Sequence, residues 1–255
     1  MLQPRIIPVL TIRNKGLVKT ERFGRDRYVG DPLNAVKIFN EKKADEIMVV
    51  DIDATVQGES PNFNLVRKLA YECKMPMGFG GGVKNYDQAL RILGLGVEKV
   101  VVSSLFFEDR RQIELIARSA GSQSVTVVFD VRRSLLGQYT VVIHNGGKRV
   151  SNDLPKCIRE AIDLGAGEIV INSVDRDGRM IGYDLGLHNM IVSDNHVPTV
   201  FLGGAGKYDH IRGLFAAGGM TAAACGSLFV FNGKYKAVLI NYPSEEEKQK
   251  LFQEA

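Results

Sequence analysis

Tryptophan is absent from this 255-residue chain, and cysteine and histidine are scarce, at three and four residues. Cys73, Cys157 and Cys225 are odd in number and far apart. That excludes a secreted disulfide framework and a CxxC metal site, and it fits a reducing cytoplasm. His144, His188, His196 and His210 show neither HxH nor HxxxH spacing, and no cysteine stands in a nucleophile motif. No metal, no cofactor and no self-contained glutaminase triad are therefore expected. Long apolar runs are also few. Residues 214–231 carry no charge over eighteen positions, the length at which a membrane span must be considered. Glycine-rich breaks divide that stretch into a helix end, a turn and a buried strand instead, so no membrane association is expected. The opening MLQPRIIPVLTIRNKG has charges too close behind its apolar run for a signal peptide and reads as a first strand. Net charge is only +4, and the basic residues are scattered apart from KTERFGRDR at 19–27. Without interleaved aromatics or a helix-turn-helix pattern, that cluster points to a small anionic ligand and not to nucleic acid.

A hydrophobic content of 45% with 27 glycines is what a soluble domain with a sizeable core requires. Val- and Ile-rich runs recur at 5–12, 46–53, 76–80, 99–104, 124–131, 167–174, 198–204 and 221–227, with amphipathic segments between them. Buried parallel strands alternating with crossover helices have this pattern, and eight units predict a closed (β/α)8 TIM barrel in one domain over 1–255. Asp31-Pro32 predicts a capped helix start, and Ser244 with Glu247 predicts a capping box on a C-terminal helix at 244–255. Asn145-Gly146-Gly147, between two alternating runs, predicts a hairpin inserted after strand five. The chain also repeats itself about 120 residues apart: VLTIR matches FDVRR, VVDIDAT matches INSVDRD, FGGGVKNYD matches LGGAGKYDH, and VVSSLFF matches ACGSLFV. Four elements per copy predict two duplicated half-barrels, roughly 1–120 and 121–240.

Reacting groups in such barrels come from the C-terminal strand ends. Two glycine turns, Gly80-Gly81-Gly82 and Gly203-Gly204-Ala205-Gly206, each follow a strand and open a helix, and each is followed one unit later by a second donor set, Ser103-Ser104 or Gly226-Ser227. Glycines there could simply permit a tight turn, but their repetition points to two phosphate-like anions on one elongated ligand. Carboxylates stand at strand ends: Asp51, Asp53, Asp130, Asp175 and Asp177. Asp130, between Phe129 and Val131, serves either proton transfer or loop amides; residue type alone leaves both open.

RIIPVL with Lys19, Gly30-Asp31-Pro32, Asp51-Ile52, GGG at 80–82, GSQ at 121–123, Asp130, GAGEI at 165–169, SVDRDG at 173–178, GYD at 182–184 and GGAGK at 203–207 occur together, almost end to end. In this combination the chain resembles the cyclase subunit of imidazole glycerol phosphate synthase, a duplicated barrel of the ribulose-phosphate-binding type. The resemblance implies a heterodimer with a separate glutaminase, whose ammonia meets a bis-phosphorylated ribulosyl aminoimidazole carboxamide. It implies phosphate binding at Gly81, Gly82 and Ser104 in one half and at Asp177, Gly178, Gly203, Gly204, Gly226 and Ser227 in the other, with Lys19 on a mobile first loop. It further implies an ammonia gate of Arg5, Glu46, Lys99 and Glu168, with Glu98 at the docking face.

The match fails at the catalytic pair. Of the family's two aspartates, the second falls on Asp130 but the first on Thr11, which cannot titrate near neutrality. Ser103, Asn172 and Leu202 depart as well, standing where the family has Asn, Thr and Ser. The leading expectation is a paralogue that still takes ammonia from a glutaminase but serves another acceptor. Similar paralogues are linked to sugar amidation for surface polysaccharides, with a third protein as partner. The alternatives are a genuine histidine-pathway cyclase, with the missing acid's role moved to Asp51 or to a water on Thr11, and a silent scaffold that activates a glutaminase.

Overall fold

The computed structural model describes residues 4–191 and 197–253. His196 and the last two positions of the helix expected at 244–255 lie outside these. The strands are β1 Arg5–Arg13, β2 Gly16–Thr20, β3 Asp26–Gly30, β4 Ile47–Asp51, β5 Met77–Gly80, β6 Lys99–Val102, β7 Val125–Arg133, β8 Tyr139–Ile143, β9 Lys148–Ser151, β10 Glu168–Ser173, β11 Thr199–Leu202 and β12 Ala222–Cys225, with a short separate pair, β13 Phe231–Asn232 and β14 Ala237–Val238. The helices are α1 Pro32–Glu41, α2 Phe63–Glu72, α3 Tyr86–Leu93, α4 Ser104–Glu108, α5 Arg110–Ala120, α6 Leu154–Asp163, α7 Leu185–Ile191, α8 Tyr208–Ala216 and α9 Glu245–Gln253. All eight expected strands are present, and the parallel order β1-β4-β5-β6-β7-β10-β11-β12 closes where β12 pairs with β1. This is the (β/α)8 barrel that the alternation of apolar runs implied. The uncharged stretch at 214–231 divides into the end of α8, a turn and β12, and no helix among the described residues is long and apolar enough to cross a membrane.

Local chemistry sets the helix starts. Asp31, Asn62, Asn85, Asp109 and Asp153 each accept a backbone N–H of the following first turn, and Pro32 takes the first helical position of α1. The expected capping box forms reciprocally, Ser244 N donating to Glu247 at 2.8 Å and Glu247 N to Ser244 Oγ at 3.3 Å.

Successive side chains of a strand point to opposite faces, and this period sorts the barrel into two apolar compartments. Outward residues such as Ile6, Leu10, Val49, Phe79, Val127, Phe129, Ile171 and Phe201 pack against the helices. Inward residues Ile7, Val9, Met48, Val101, Val170, Val200, Ala222 and Ala224 form a separate cluster along the axis, with Val50, Val128 and Leu202 against it.

Antiparallel hairpins follow β1 and β7 at the mouth. The one after β7, strands β8 and β9, follows the Asn145-Gly146-Gly147 signal. The other, β2 and β3 after β1, was not anticipated. It corrects the placement of Lys19, which lies on β2 with its side chain buried and not on an open loop. Thr11 pairs with Val18 of one hairpin and Asp130 with Val142 of the other, so the two hold corresponding register positions on β1 and β7.

The backbone approaches closely at Gly81, with φ +107° and a would-be Cβ 2.2 Å from the Asp51 carbonyl oxygen. Gly81→Ala should therefore lower stability by about 2 kcal/mol or more, read as a reduced urea midpoint with an unchanged denaturant slope.

Candidate functional site at the barrel mouth

The C-terminal strand ends surround a cavity of about 160 Å³ that reaches down to Val9, Met48 and Val101. Thr11, Lys19, Asp51, Asp130 and Asn172 line it, together with Gly81, Gly82, Ser103, Ser104, Asp177 and Gly226. The first anion-binding set is thus brought together at one wall, where Gly82 N donates to Thr55 Oγ1 at 3.1 Å. The second set is divided. Gly178 and Ser227 line a separate, net basic cleft of about 370 Å³ with Arg22, Arg25, Arg27 and Lys236 as well as Glu21 and Asp26, while Asp177 and Gly226 face the main cavity. Gly203 and Gly204 line neither of these two. Gly204 is covered by the 180–182 segment, its carbonyl accepting Gly182 N at 2.7 Å.

The hairpin β2–β3 makes this division. Arg22 N donates to the Asp177 carbonyl at 3.0 Å, and a Cβ on Gly178 would stand 2.2 Å from the Thr20 carbonyl. Lys19 Nζ donates to the Val9 carbonyl and lies against Gly226, where a Cβ would come within 2.9 Å of it. Burial lowers the Lys19 pKa to about 8 against the pull of Asp177, and burial raises Asp177 to about 6 although Lys19 opposes it.

Thr11 and Asp130 hold equivalent positions but do different things. Thr11 Oγ1 donates to the Val18 carbonyl, so its one hydroxyl hydrogen pins the hairpin. Asp130 keeps some surface toward the cavity, yet protein crowds its carboxyl. Loss of hydration raises its pKa to about 7, Asn172 opposes that by donating Nδ2 to Oδ1 at 2.8 Å, and Asp177 adds to it. Asp51 Oδ1 accepts the Asp53 and Ala54 amides, both at 3.2 Å, and burial still moves its pKa upward. Sequence reasoning missed three rim features: the two-point Arg13–Asp53 pair at 2.8 and 2.9 Å, Thr55, and Asn145, which donates to the Ile52 carbonyl at 2.8 Å. The Arg13–Asp53 pair spans 40 residues, so no local spacing signals it.

At the opposite end Arg5, Glu46, Lys99 and Glu168 form a closed ring of alternating charge. Arg5 Nη1 contacts Glu46, Arg5 Nη2 meets Glu168 at 2.7 Å, and Lys99 Nζ meets Glu46 at 2.6 Å and Glu168 at 3.1 Å. Thr126 Oγ1 donates to Glu168 at 3.2 Å. Both glutamates are buried; burial and the like charge of Glu168 raise the Glu46 pKa, while Lys99 and Arg5 hold it down. Glu98 is exposed on the same face and accepts the Met77 amide at 2.8 Å.

A closed parallel β/α barrel with Gly81, Gly82, serines and carboxylates lining a cavity at its C-terminal mouth belongs to the (β/α)8 class, in which that end carries the ligand site. The model of the histidine biosynthesis protein family matches residues 5–236, and the chain belongs to that family. It is 52% identical, over 99% of its length and 100% of the other chain, to a Leptospira borgpetersenii protein with the provisional name imidazole glycerol phosphate synthase subunit HisF. A Vibrio vulnificus chain provisionally named subunit hisF3 is 50% identical over 99% of this chain and 98% of its own. The imidazole glycerol phosphate synthase subunit HisF of Streptococcus mutans is 34% identical over 90% of this chain and 91% of its own. The resemblance drawn from the motifs therefore holds.

Two tests address the ends of the barrel. Asp130 holds its proton to about pH 7 in the folded chain but loses it near the ordinary carboxylate pKa when unfolded, so the stability this group allows falls as pH rises through about 7. Asp130→Asn should match the parent in urea denaturation near pH 4 and exceed it by roughly 2 kcal/mol at pH 8. Lys99→Met would leave two buried carboxylates on Arg5 alone and should cost about 3 kcal/mol, measured as the loss in unfolding free energy.

Proposed function

We propose that this chain is a cyclase-like synthase subunit that receives ammonia from a separate glutaminase at the charged floor, passes it along the apolar axis, and delivers it at the mouth to an acceptor other than the histidine-pathway substrate. The working compartment is the reducing cytoplasm. The acceptor is a sugar destined for surface polysaccharide, held by a third protein, and the two halves arose by duplication. Thr11 carries this reading. Where the family has a carboxylic acid this chain has a hydroxyl already committed to Val18, so one of the two acid–base groups that ring closure and cleavage need is missing. Higher identity to the hisF3-named chain than to the Streptococcus mutans subunit supports the same view.

The floor supports the ammonia route. A ring of four paired charges closes it against water and ions, while the inward residues above, from Ile7 to Val200, offer a path suited to a small neutral molecule. Gly81, Gly82, Ser103 and Ser104 would hold a phosphate of the ligand at one wall, with Gly178 and Ser227 as a second anion site behind the hairpin. Glu98, beside the ring, would belong to the glutaminase contact. A histidine-pathway cyclase working with a single acid–base residue is the second reading, favoured by Asp130 and its pKa near 7.

Ammonium salts and the bis-phosphorylated ribulosyl aminoimidazole carboxamide, given to the purified chain, should yield no imidazole glycerol phosphate at rates ordinary for the family. Thr11→Asp should raise that activity by on the order of 10²-fold. Family-like turnover by the unaltered chain, or a fall on Thr11→Asp, overturns the altered-acceptor reading and establishes the second. A glutaminase left unchanged by addition of this chain removes the conduit.

A further inference from the structure

Asn172 is a polar residue at a position the barrel interior could fill with an apolar one. Its register partner on β11 is Leu202, and two residues earlier on the same two strands stand Val170 and Val200. Only 5% of Asn172 is exposed. The two ends of its amide fare differently. Nδ2 donates to Oδ1 of Asp130, the register partner on β7, at 2.8 Å, whereas Oδ1 is buried with no hydrogen-bond partner among the described residues. That oxygen is turned toward Gly203, where a Cβ would stand 3.1 Å from it. A leucine of similar size would leave no acceptor unpaired, so the asparagine gives up stability at this position. What it supplies instead is one N–H aimed at one carboxylate oxygen.

That N–H divides the two oxygens of Asp130. Oδ1 already accepts a hydrogen, and a proton placed there would face the amide N–H, donor against donor. Oδ2 accepts nothing from the described residues. The protonated form therefore carries its hydrogen on Oδ2, and Oδ1 remains the accepting oxygen in both states. The charged groups around the cavity are committed elsewhere. Lys19 donates to the Val9 carbonyl, Arg13 is held by Asp53, His144 meets Glu108, and Asp51 is tied to loop amides, while Asp177 opposes ionisation by its like charge. Among the described residues the Asn172 donor is the one hydrogen bond that favours the carboxylate against its burial.

We infer that Asn172 positions Asp130 for proton transfer: it ties Oδ1 to β10 and leaves Oδ2 as the atom that gives and takes the proton at the cavity. The inference rests on the reading of Asp130 as the mouth's remaining acid–base group, and adds to it a positioning residue and a direction. When the proton passes from Oδ2 to a basic atom of a ligand, the Nδ2–H bond to Oδ1 strengthens without being made or broken. The carboxylate then has no need to turn. A side chain without a donor would let the carboxyl rotate and present either oxygen.

The test is an NMR titration of the full chain, labelled with ¹³C in aspartate and ¹⁵N in asparagine, from about pH 5 to about pH 9. Of the two Nδ2 hydrogens of Asn172, one should move downfield with the midpoint of the Asp130 carboxyl carbon, and the other should stay. Asn172→Leu should raise that midpoint by about one pH unit or more, roughly a tenfold gain in proton affinity. A packing role alone would not couple a single amide hydrogen to the carboxyl. If the variant fails to fold, the amide titration of the unaltered chain decides. Amide hydrogens blind to the Asp130 midpoint, or an unmoved midpoint in folded Asn172→Leu, overturn the positioning role. Neither signal involves ammonia or an acceptor. Coupled signals in a chain that transfers no ammonia therefore remove the functional reading alone, and transfer with uncoupled signals removes the positioning role alone.

Discussion

The two-residue period of the inward faces organises the molecule. Along β1 it sets Arg5, Ile7, Val9 and Thr11 in line, and along β10 it sets Glu168, Val170 and Asn172. The same step on neighbouring strands stacks a charged floor, apolar middle layers and a polar mouth. A one-residue slip in any strand would turn its inward set into the helix-packed layer. The parallel register that closes β12 on β1 holds the floor quartet within bonding distance and, on the same strands, the mouth groups around one cavity.

That arrangement explains how ends of opposite character coexist in one small barrel. The floor charges neutralise one another: each glutamate meets both a lysine and an arginine, so their desolvation is offset by pairing. At the mouth the carboxylates are spread out instead. Asp51 is tied to loop amides, Asp177 stands beside Lys19, and Asp130 has only an asparagine. The floor is electrostatically closed, whereas the mouth keeps carboxyls raised by burial, Asp130 to about 7 and Asp177 to about 6, beside the cavity.

What could be read from the chain was what local chemistry encodes. The eight strands, the capped helix starts, the hairpin at Asn145-Gly146-Gly147 and both glycine turns each depend on residues within one element, and all are where the sequence placed them. The β2–β3 hairpin was not legible. Its bend puts Arg22 and Phe23 at φ +54° and +62°, left-handed positions held by residues that do not advertise a turn. Lys19 therefore read as part of a loose basic segment. The separation of the residues expected to form a second phosphate set follows from that hairpin, which reaches more than 150 residues along the chain to Asp177 and Gly178, and no spacing could have disclosed it. The pairing of Asn172 with Asp130 spans 42 residues and depends on barrel closure. From sequence, Asn172 was visible only as a departure from a family pattern, with no partner to give it meaning.

The strands β1 and β7, each followed by a hairpin, carry different chemistry at corresponding register positions. At the end of β1, Thr11 donates to Val18 and secures a hairpin that carries Lys19 down onto Gly226. On β7, Asp130, paired to Val142 in the same way, keeps its carboxyl toward the cavity. A threonine can make the Val18 bond because a hydroxyl donates; an ionised aspartate has only acceptor oxygens and would face the same carbonyl with repulsion. Thr11 therefore serves a structural role at the position where, on β7, Asp130 keeps a titratable carboxyl toward the cavity.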